Sequence, residues 1–206
     1  MNVTLIQETP NAIDTIAEIA SICYDSAPKD SLQLVKHLYR NGHHSVFEHI
    51  YFTFKIEGIS RACSHQLVRH RMCSFTQRSQ RYCNEEGFTI TPVQTIYKKD
   101  KEQIYFDTMD VIDNCYKKLQ ALGVPKEDAR YILPNACCTD LYLSCNLREF
   151  IHIANERLCS RSQWEIRELV KKMVDRVDPQ LKFMLVPKCK SGRIICNSPC
   201  NKKGEN

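Results

Sequence analysis

Glycine is scarce in this 206-residue chain: there are six, and no Gly-x-Gly-x-x-Gly run is among them. That excludes a glycine loop of the Rossmann kind as a cradle for pyrophosphate. Long apolar stretches are also missing, so no membrane span is expected. The opening Met-Asn-Val-Thr-Leu-Ile has no basic segment followed by an apolar run, so no secretory signal is expected either. The expected compartment is the cytoplasm, without a membrane partner. A hydrophobic fraction of 43%, a charged fraction of 26% and a net charge of +5 exclude wholesale disorder and fibrous folds. No internal repeat or low-complexity linker divides the chain, and one domain is expected. The last absence is local. Between Glu57 and Glu85 there is no lysine and no acidic residue.

Cysteine, by contrast, is plentiful, with 12 residues. Cys23, Cys63, Cys115 and Cys145 stand singly inside periodic apolar segments, where a reduced thiol serves as a small core hydrophobe. Cys189, Cys196 and Cys200 are different, being a loose trio in a tail rich in Gly, Pro, Ser, Asn and Lys. Zinc sites usually show paired Cys-x-x-Cys or His spacing and four ligands, so no metal is expected there. The reading is a flexible tail over 188–206 with free thiols, its last six residues disordered.

The remaining pattern, over 1–187, interleaves strands and helices. Val3 to Ile6, Tyr51 to Ile56 and Cys137 to Cys145 read as strands. Helices are expected from a Thr9-Pro10 start to about Cys23, over Asp30 to Arg40 with a stop at Asn41-Gly42, and from Ile59 onward. The clearest helix runs from Asp100 to Leu122, with a stripe of Ile104, Val111, Ile112, Cys115 and Leu119. A short helix follows Pro125. Two more span about Leu147 to Leu158 and Ser162 to Val177, the last stopped by Asp178-Pro179. On the Leu147 helix, Arg148, His152 and Asn155 form a stripe apart from Leu147, Phe150, Ile151 and Ala154. The fold class is α/β (α+β): a mixed sheet flanked by long helices.

Within the segment that lacks acids stand Arg61, Arg69, Arg71, Arg78 and Arg81. Arginine presents a planar donor fork suited to phosphate or carboxylate, and a partly desolvated guanidinium needs a counter-charge. Distant carboxylates, another subunit or an anionic ligand could supply it, and an anionic ligand is favoured. Ser74, Thr76, Gln77, Ser79 and Gln80 read as a loop offering hydroxyls and amides to phosphate and to a heterocyclic edge. A nucleic-acid track is the competing reading, with Phe75 and Tyr82 as stacking residues. The modest global charge favours a pocket for one phosphorylated small molecule, and no nucleic-acid partner is expected.

Arg69-His70-Arg71, then seven residues, then Ser79 resembles the signature of the flavin-dependent thymidylate synthases. Gly42 to His49, Ser60 to Val68 and Gln80-Arg81-Tyr82 are similar to that family as well. So are Ala129 to Pro134, Asn146-Leu147-Arg148, Asn155-Glu156-Arg157 and Gln163 to Ile166, in the family's order, so the resemblance covers about residues 1–187. It implies that deoxyuridylate (dUMP) is converted to thymidylate (dTMP), with 5,10-methylenetetrahydrofolate as carbon donor, FAD as hydride carrier and NADPH as reductant. It also implies a homotetramer whose active sites are shared between subunits. By motif position, Gln66, Arg69, Gln77, Arg78, Ser79, Gln80, Arg81, Arg130 and Arg157 would hold dUMP. Ser45, Arg69, His70, Arg71, Gln77, Asn146, Arg148 and His152 would contact FAD, and Arg157 would be the catalytic residue.

The chemistry of the residues agrees with these roles. Both ligands are anionic and would supply counter-charge to the arginines, which must stand in for the missing glycine loop. The resemblance implies that Arg157 stabilises an N3-deprotonated pyrimidine, a positive charge placed where negative charge develops. On an ideal helix Arg157 projects near the Phe150 side, so it is partly buried or lies beyond the helix end. The alternative for it is a salt bridge to a neighbouring carboxylate. Ser79 has only arginines nearby and no base to activate it, so it reads as a nucleotide ligand rather than a nucleophile.

Overall fold

The computed structural model describes residues 1–23, 25, 29–93, 95–96, 101–192 and 194–200. The expected helix start at Asp100 and the expected disorder of the last six residues lie outside the described residues. Four strands, β1 (Asn2–Glu8), β2 (Tyr51–Ser60), β3 (Ser74–Gln77) and β4 (Cys138–Asn146), form one sheet in the order β1-β2-β4-β3. Among the described residues seven helices accompany it: α1 (Ala12–Ser21), α2 (Ser31–Asn41), α3 (Arg61–Leu67), α4 (Glu102–Ala121), α5 (Lys126–Ala129), α6 (Leu147–Arg157) and α7 (Trp164–Arg176).

Every pairing in the sheet runs antiparallel, which corrects the expected mixed sheet. Asn2 bonds Glu57 while Thr9 bonds Tyr51. Gly58 meets Asp140 while Thr53 meets Ser144. Strand β3 was expected as loop. It pairs with β4, and its last residue leads into Arg78, whose N–H donates to the Asp140 carbonyl at 2.9 Å.

The chain divides into two compact units, each assembled from several stretches of sequence. The first comprises Met1–Asn2, Ile56–Gln66 and Thr76–Leu141. Strand β2 runs on past Ile56 through Gly58, whose φ of +66° suits glycine, and the Ser60 hydroxyl caps α3 by accepting from the Cys63 N–H at 3.0 Å. The expected α4 stripe is not a core stripe. Ile104 is 70% and Val111 61% exposed, Cys115 is exposed, and Tyr116 is the buried residue of this helix. The helical period was real, but a single chain supplies no surface to cover it.

The second unit comprises Val3–Lys55, Leu67–Phe75 and Tyr142–Asn206. Helix α1 buries Ile13, Ile16, Ala17 and Ala20 and packs on α2, which buries Val35, Leu38 and Tyr39. Helix α1 starts at Ala12 rather than at Thr9, because Thr9 is used in strand pairing: its hydroxyl accepts from the Tyr51 N–H at 2.9 Å. Helix α2 begins at the Asp30 cap and ends at Gly42 in the left-handed region, as its sequence implies. Phe52, Phe54 and Phe150 form an aromatic cluster with centroids 5.4 to 6.2 Å apart, fixing α6 on the sheet. Truncating such a phenylalanine costs about 3–5 kcal/mol. Cys63 and Cys145 are buried as expected, whereas Cys23 and Cys115 are exposed, so the core-filler reading fails for those two.

No helix among the described residues is long and apolar enough to cross a membrane.

Candidate active site

Helix α6 organises the polar half of the second unit. Asn146 opens it as an N-cap, its Oδ1 accepting from the Glu149 N–H at 2.9 Å. Leu147, Phe150, Ile153 and Ala154 are buried. The other side of the helix borders a cavity of about 670 Å³ lined by Asn146, Arg148, Glu149, His152 and Asn155, together with Met72 and Ile194. That volume lies within the roughly 300–1,000 Å³ common for small-molecule sites. At its rim Arg148 pairs with Glu48. Asn155 donates to the Ile151 carbonyl at 2.6 Å, while its buried Oδ1 has no hydrogen-bond partner among the described residues. A buried acceptor left this way costs about 1–3 kcal/mol, which a donating ligand atom would recover.

Arg157, the last residue of α6, is half-buried and donates its Nε–H to His70 Nε2 at 2.9 Å. His70 is itself 5% exposed. Burial, the Arg157 charge and His152 together push its pKa down to about 4. His70 is therefore neutral at pH 7, with Nε2 as acceptor and the proton on Nδ1. That Nδ1 lies 3.5 Å from Glu149 Oε1. Burial raises the Glu149 pKa, and His152 partly opposes the rise. The His70 and His152 rings meet edge to face at 5.6 Å. The bond to His70 orients the Arg157 guanidinium.

Ligand atoms of His70, Glu149 and His152 lie within 4.8 Å of one another, as a metal site would require. The hydrogen bonds argue against a cation there. One nitrogen of His70 carries its proton and the other accepts from a guanidinium, so this residue has no lone pair to give.

In the first unit the arginines are arranged differently. Arg78 Nε lies 3.1 Å from Glu85 Oε1, a second donor reaches the Asn84 carbonyl, and Glu85 raises the Arg78 pKa. Arg81 Nε lies 2.6 Å from Glu127 Oε2, and its guanidinium stands over the Tyr82 ring. Carboxylates from outside the acid-free segment thus supply counter-charge that had been assigned to ligands. Arg61 donates to the Arg78 carbonyl at 3.0 Å while its buried Nε has no partner among the described residues, and burial lowers its pKa. Gln77 bonds Ser64 at 3.0 Å and Thr139 at 3.3 Å. Gln80 points at Cys137 Sγ, Gln66 at the Ala62 carbonyl and Arg130 at the Glu127 carbonyl. The Ser79 hydroxyl accepts from the Arg81 N–H at 3.2 Å, and no base touches it among the described residues.

The two anticipated ligand sets therefore fall mostly into different units. Gln66, Gln77, Arg78, Ser79, Gln80, Arg81 and Arg130 belong to the first. Ser45, Arg69, His70, Arg71, Asn146, Arg148, His152 and Arg157 belong to the second. Asn146, Arg148 and His152 line the cavity, whereas Ser45, Arg69 and Arg71 are exposed, and the buried member of the Arg69-His70-Arg71 triplet is His70. Sequence reasoning missed Glu48, Glu149 and the role of Asn155. For Glu149 a signal was available, since Asn146-x-x-Glu149 has capping-box spacing.

Comparison with known proteins adds to this geometry. The family described as thymidylate synthase complementing protein matches residues 4–181. A flavin-dependent thymidylate synthase of Geobacter sulfurreducens is 39% identical over 99% of this chain and 92% of its own length. The Pyrococcus furiosus enzyme of that name is 42% identical, over 92% and 86% respectively. Among solved structures, the fold is similar to thymidylate synthase X from Helicobacter pylori, crystallised with FAD and dUMP. The TM-score is 0.75 at 22% identity, covering 90% of this chain and 97% of that one. With the Arg-His-Arg segment beside α6 and a match over nearly its whole length, the chain belongs to the flavin-dependent thymidylate synthases.

Proposed function

We propose that this protein methylates dUMP to dTMP, taking the carbon from 5,10-methylenetetrahydrofolate and reducing equivalents from NADPH through FAD. The observation that carries the reading is the near full-length similarity to relatives named for this activity. The cavity supports it. Its apolar wall of Met72, Ile151 and Ile194 suits a planar heterocycle, Arg148 and His152 suit a pyrophosphate, and the unpartnered Asn155 Oδ1 can take a ring N–H. FAD would supply hydride transfer when bound there. Asn146 has its Oδ1 committed to the helix cap and would offer its Nδ2 to the cofactor. Ser45, Arg69, His70, Arg71 and Gln77 complete the proposed FAD set.

Arg157 acts on the pyrimidine. Its guanidinium, aligned by the neutral His70, stabilises negative charge on the uracil ring and makes C5 electron-rich enough to take the one-carbon unit. Arg78, Arg81 and Arg130, with the amides of Gln66, Gln77 and Gln80 and the Ser79 hydroxyl, hold the nucleotide, together with Arg69. Arg78 and Arg81 already have carboxylate partners, so nucleotide binding would involve exchange of those pairs. The exposed Ile104 and Val111 of α4 support assembly into a homotetramer with shared sites, which would cover them. The protein is proposed to act in the cytoplasm. The test is product formation: purified protein loaded with FAD makes dTMP, and omission of dUMP, folate or NADPH stops it. A flavin-loaded protein that makes no dTMP contradicts the reading.

A further inference from the structure

The Cys-containing tail meets the end of α6. The Cys200 Sγ lies 3.8 Å from Cys159 Sγ, two residues beyond Arg157, and also hydrogen-bonds the Cys189 thiol. Cys196 is within electrostatic reach of Cys189. Two backbone N–H groups point at these sulfurs: Ser160 N–H to Cys200 Sγ and Cys200 N–H to Cys189 Sγ, both at 3.5 Å. All four cysteines are free, partly buried and within the second unit.

Core thiols do not explain this arrangement. A disulfide would bring the sulfurs to about 2.05 Å, while unrelated thiols have no reason to converge with peptide N–H groups aimed at them. Four sulfurs around zinc at about 2.3 Å in a tetrahedron stand roughly 3.8 Å apart; the Cys159–Cys200 pair is already at that separation, and the Cys189 and Cys196 sulfurs would have to draw in around the ion. Peptide N–H groups that donate to sulfur favour the thiolate, as in the outer shell of metal–thiolate sites. The spacing Cys189-x6-Cys196-x3-Cys200 is too loose to signal such a site, and Cys159, the fourth ligand, lies 30 residues before Cys189.

We propose that Cys159, Cys189, Cys196 and Cys200 form a structural zinc site that fastens the tail to the C-terminal end of α6. All four bind as thiolates, their protons passing to solvent, and the ion stays Zn(II) throughout. Lys188 and Lys190, which flank Cys189, offset the net negative charge of the complex. Fastening has a local consequence. Ile194, between two of the ligands, lines the cavity, and Arg157 ends the helix that the ion anchors. The site stands whether or not the proposed reaction is correct, because it rests on the cysteines alone.

The test uses full-length protein purified under reducing conditions without chelator, then given zinc and freed of excess. Elemental analysis is expected to give one zinc per chain. Adding a chelator is expected to make four further cysteines reactive to alkylation, beyond those reactive in the zinc-loaded protein. Cobalt substitution is expected to give an intense sulfur-to-metal charge-transfer band, and Cys159→Ser and Cys200→Ser to lose the metal. Absence of zinc in the wild-type chain overturns the proposal, and so does an alkylation pattern that the chelator leaves unchanged. An intact mass lower by two hydrogens, marking a disulfide, also overturns it. Zinc that persists in the cysteine variants but is lost in His152→Ala overturns it in favour of the histidine cluster. The wild-type measurements decide the matter even if a variant fails to fold.

Discussion

Arginine is used in two ways in this molecule. In the first unit Arg78 and Arg81 meet Glu85 and Glu127, and their side chains remain 42% and 54% exposed. In the second unit Arg157 is half-buried and bonds a neutral imidazole. A guanidinium paired with a carboxylate in contact with water contributes little electrostatic work, because solvent and partner both screen it. A guanidinium in a drier place acts with less screening by solvent. The same residue type is thus suited to holding a phosphate in one unit and to stabilising a developing charge in the other.

The contrast is broken most directly at Arg157. Arg157→Ala is expected to lower the rate of dTMP formation by about 10²–10³, the usual cost of removing one preorganised donor. The flavin absorbance of the purified variant should be unchanged, and equal loss of flavin would refute the division of labour. His70→Ala should cost less, on the order of tenfold in kcat, because Arg157 keeps its charge but loses its alignment. Steady-state kinetics on the flavin-loaded variant check this.

His70 also makes a stability prediction. Its folded pKa of about 4 lies below the ordinary imidazole value of 6.5, so between those values the unfolded chain binds more protons than the native one. Stability is then full above about pH 6.5 and falls as the pH drops toward 4, by roughly 3 kcal/mol at most. Denaturant midpoints for wild type and His70→Asn across that window should converge at low pH if His70 is the cause.

Smaller effects sharpen the other half of the comparison. Glu85→Gln, at a residue 6% exposed, should destabilise by about 1–3 kcal/mol by removing the partner of Arg78. A double-mutant cycle on Arg81 and Glu127 should give a coupling below about 1 kcal/mol, falling with salt, while Arg81→Ala raises the KM for dUMP.

The sequence made some of this legible. Helix α6 was read nearly to the residue because Leu147, Phe150, Ile151 and Ala154 repeat at helical period after an Asn cap. Strand β3 was not, because four residues amid arginines carry no period and the bonds to β4 decide the matter. The α4 stripe revealed a helix but not its exposure, since the covering surface is not encoded in the stripe. At the site, the arginines were visible as residues, but their partners were not. His70 meets Arg157 across 87 positions, and Arg81 meets Glu127 across 46. Burial and protonation state depend on such distant contacts, which is why His70 was named as a cofactor ligand and not as the residue that aligns Arg157.

The central claim is that a positively charged Arg157, held by a neutral His70, activates the pyrimidine. It is tested most directly by titrating N3 of bound dUMP in the FAD-loaded protein by ultraviolet difference spectroscopy, in wild type and in Arg157→Ala. N3 is expected to ionise at lower pH in the wild-type complex than in free dUMP, and the difference is expected to disappear in the variant. An unshifted N3 pKa in the wild-type complex, or an equal shift in both proteins, would contradict it.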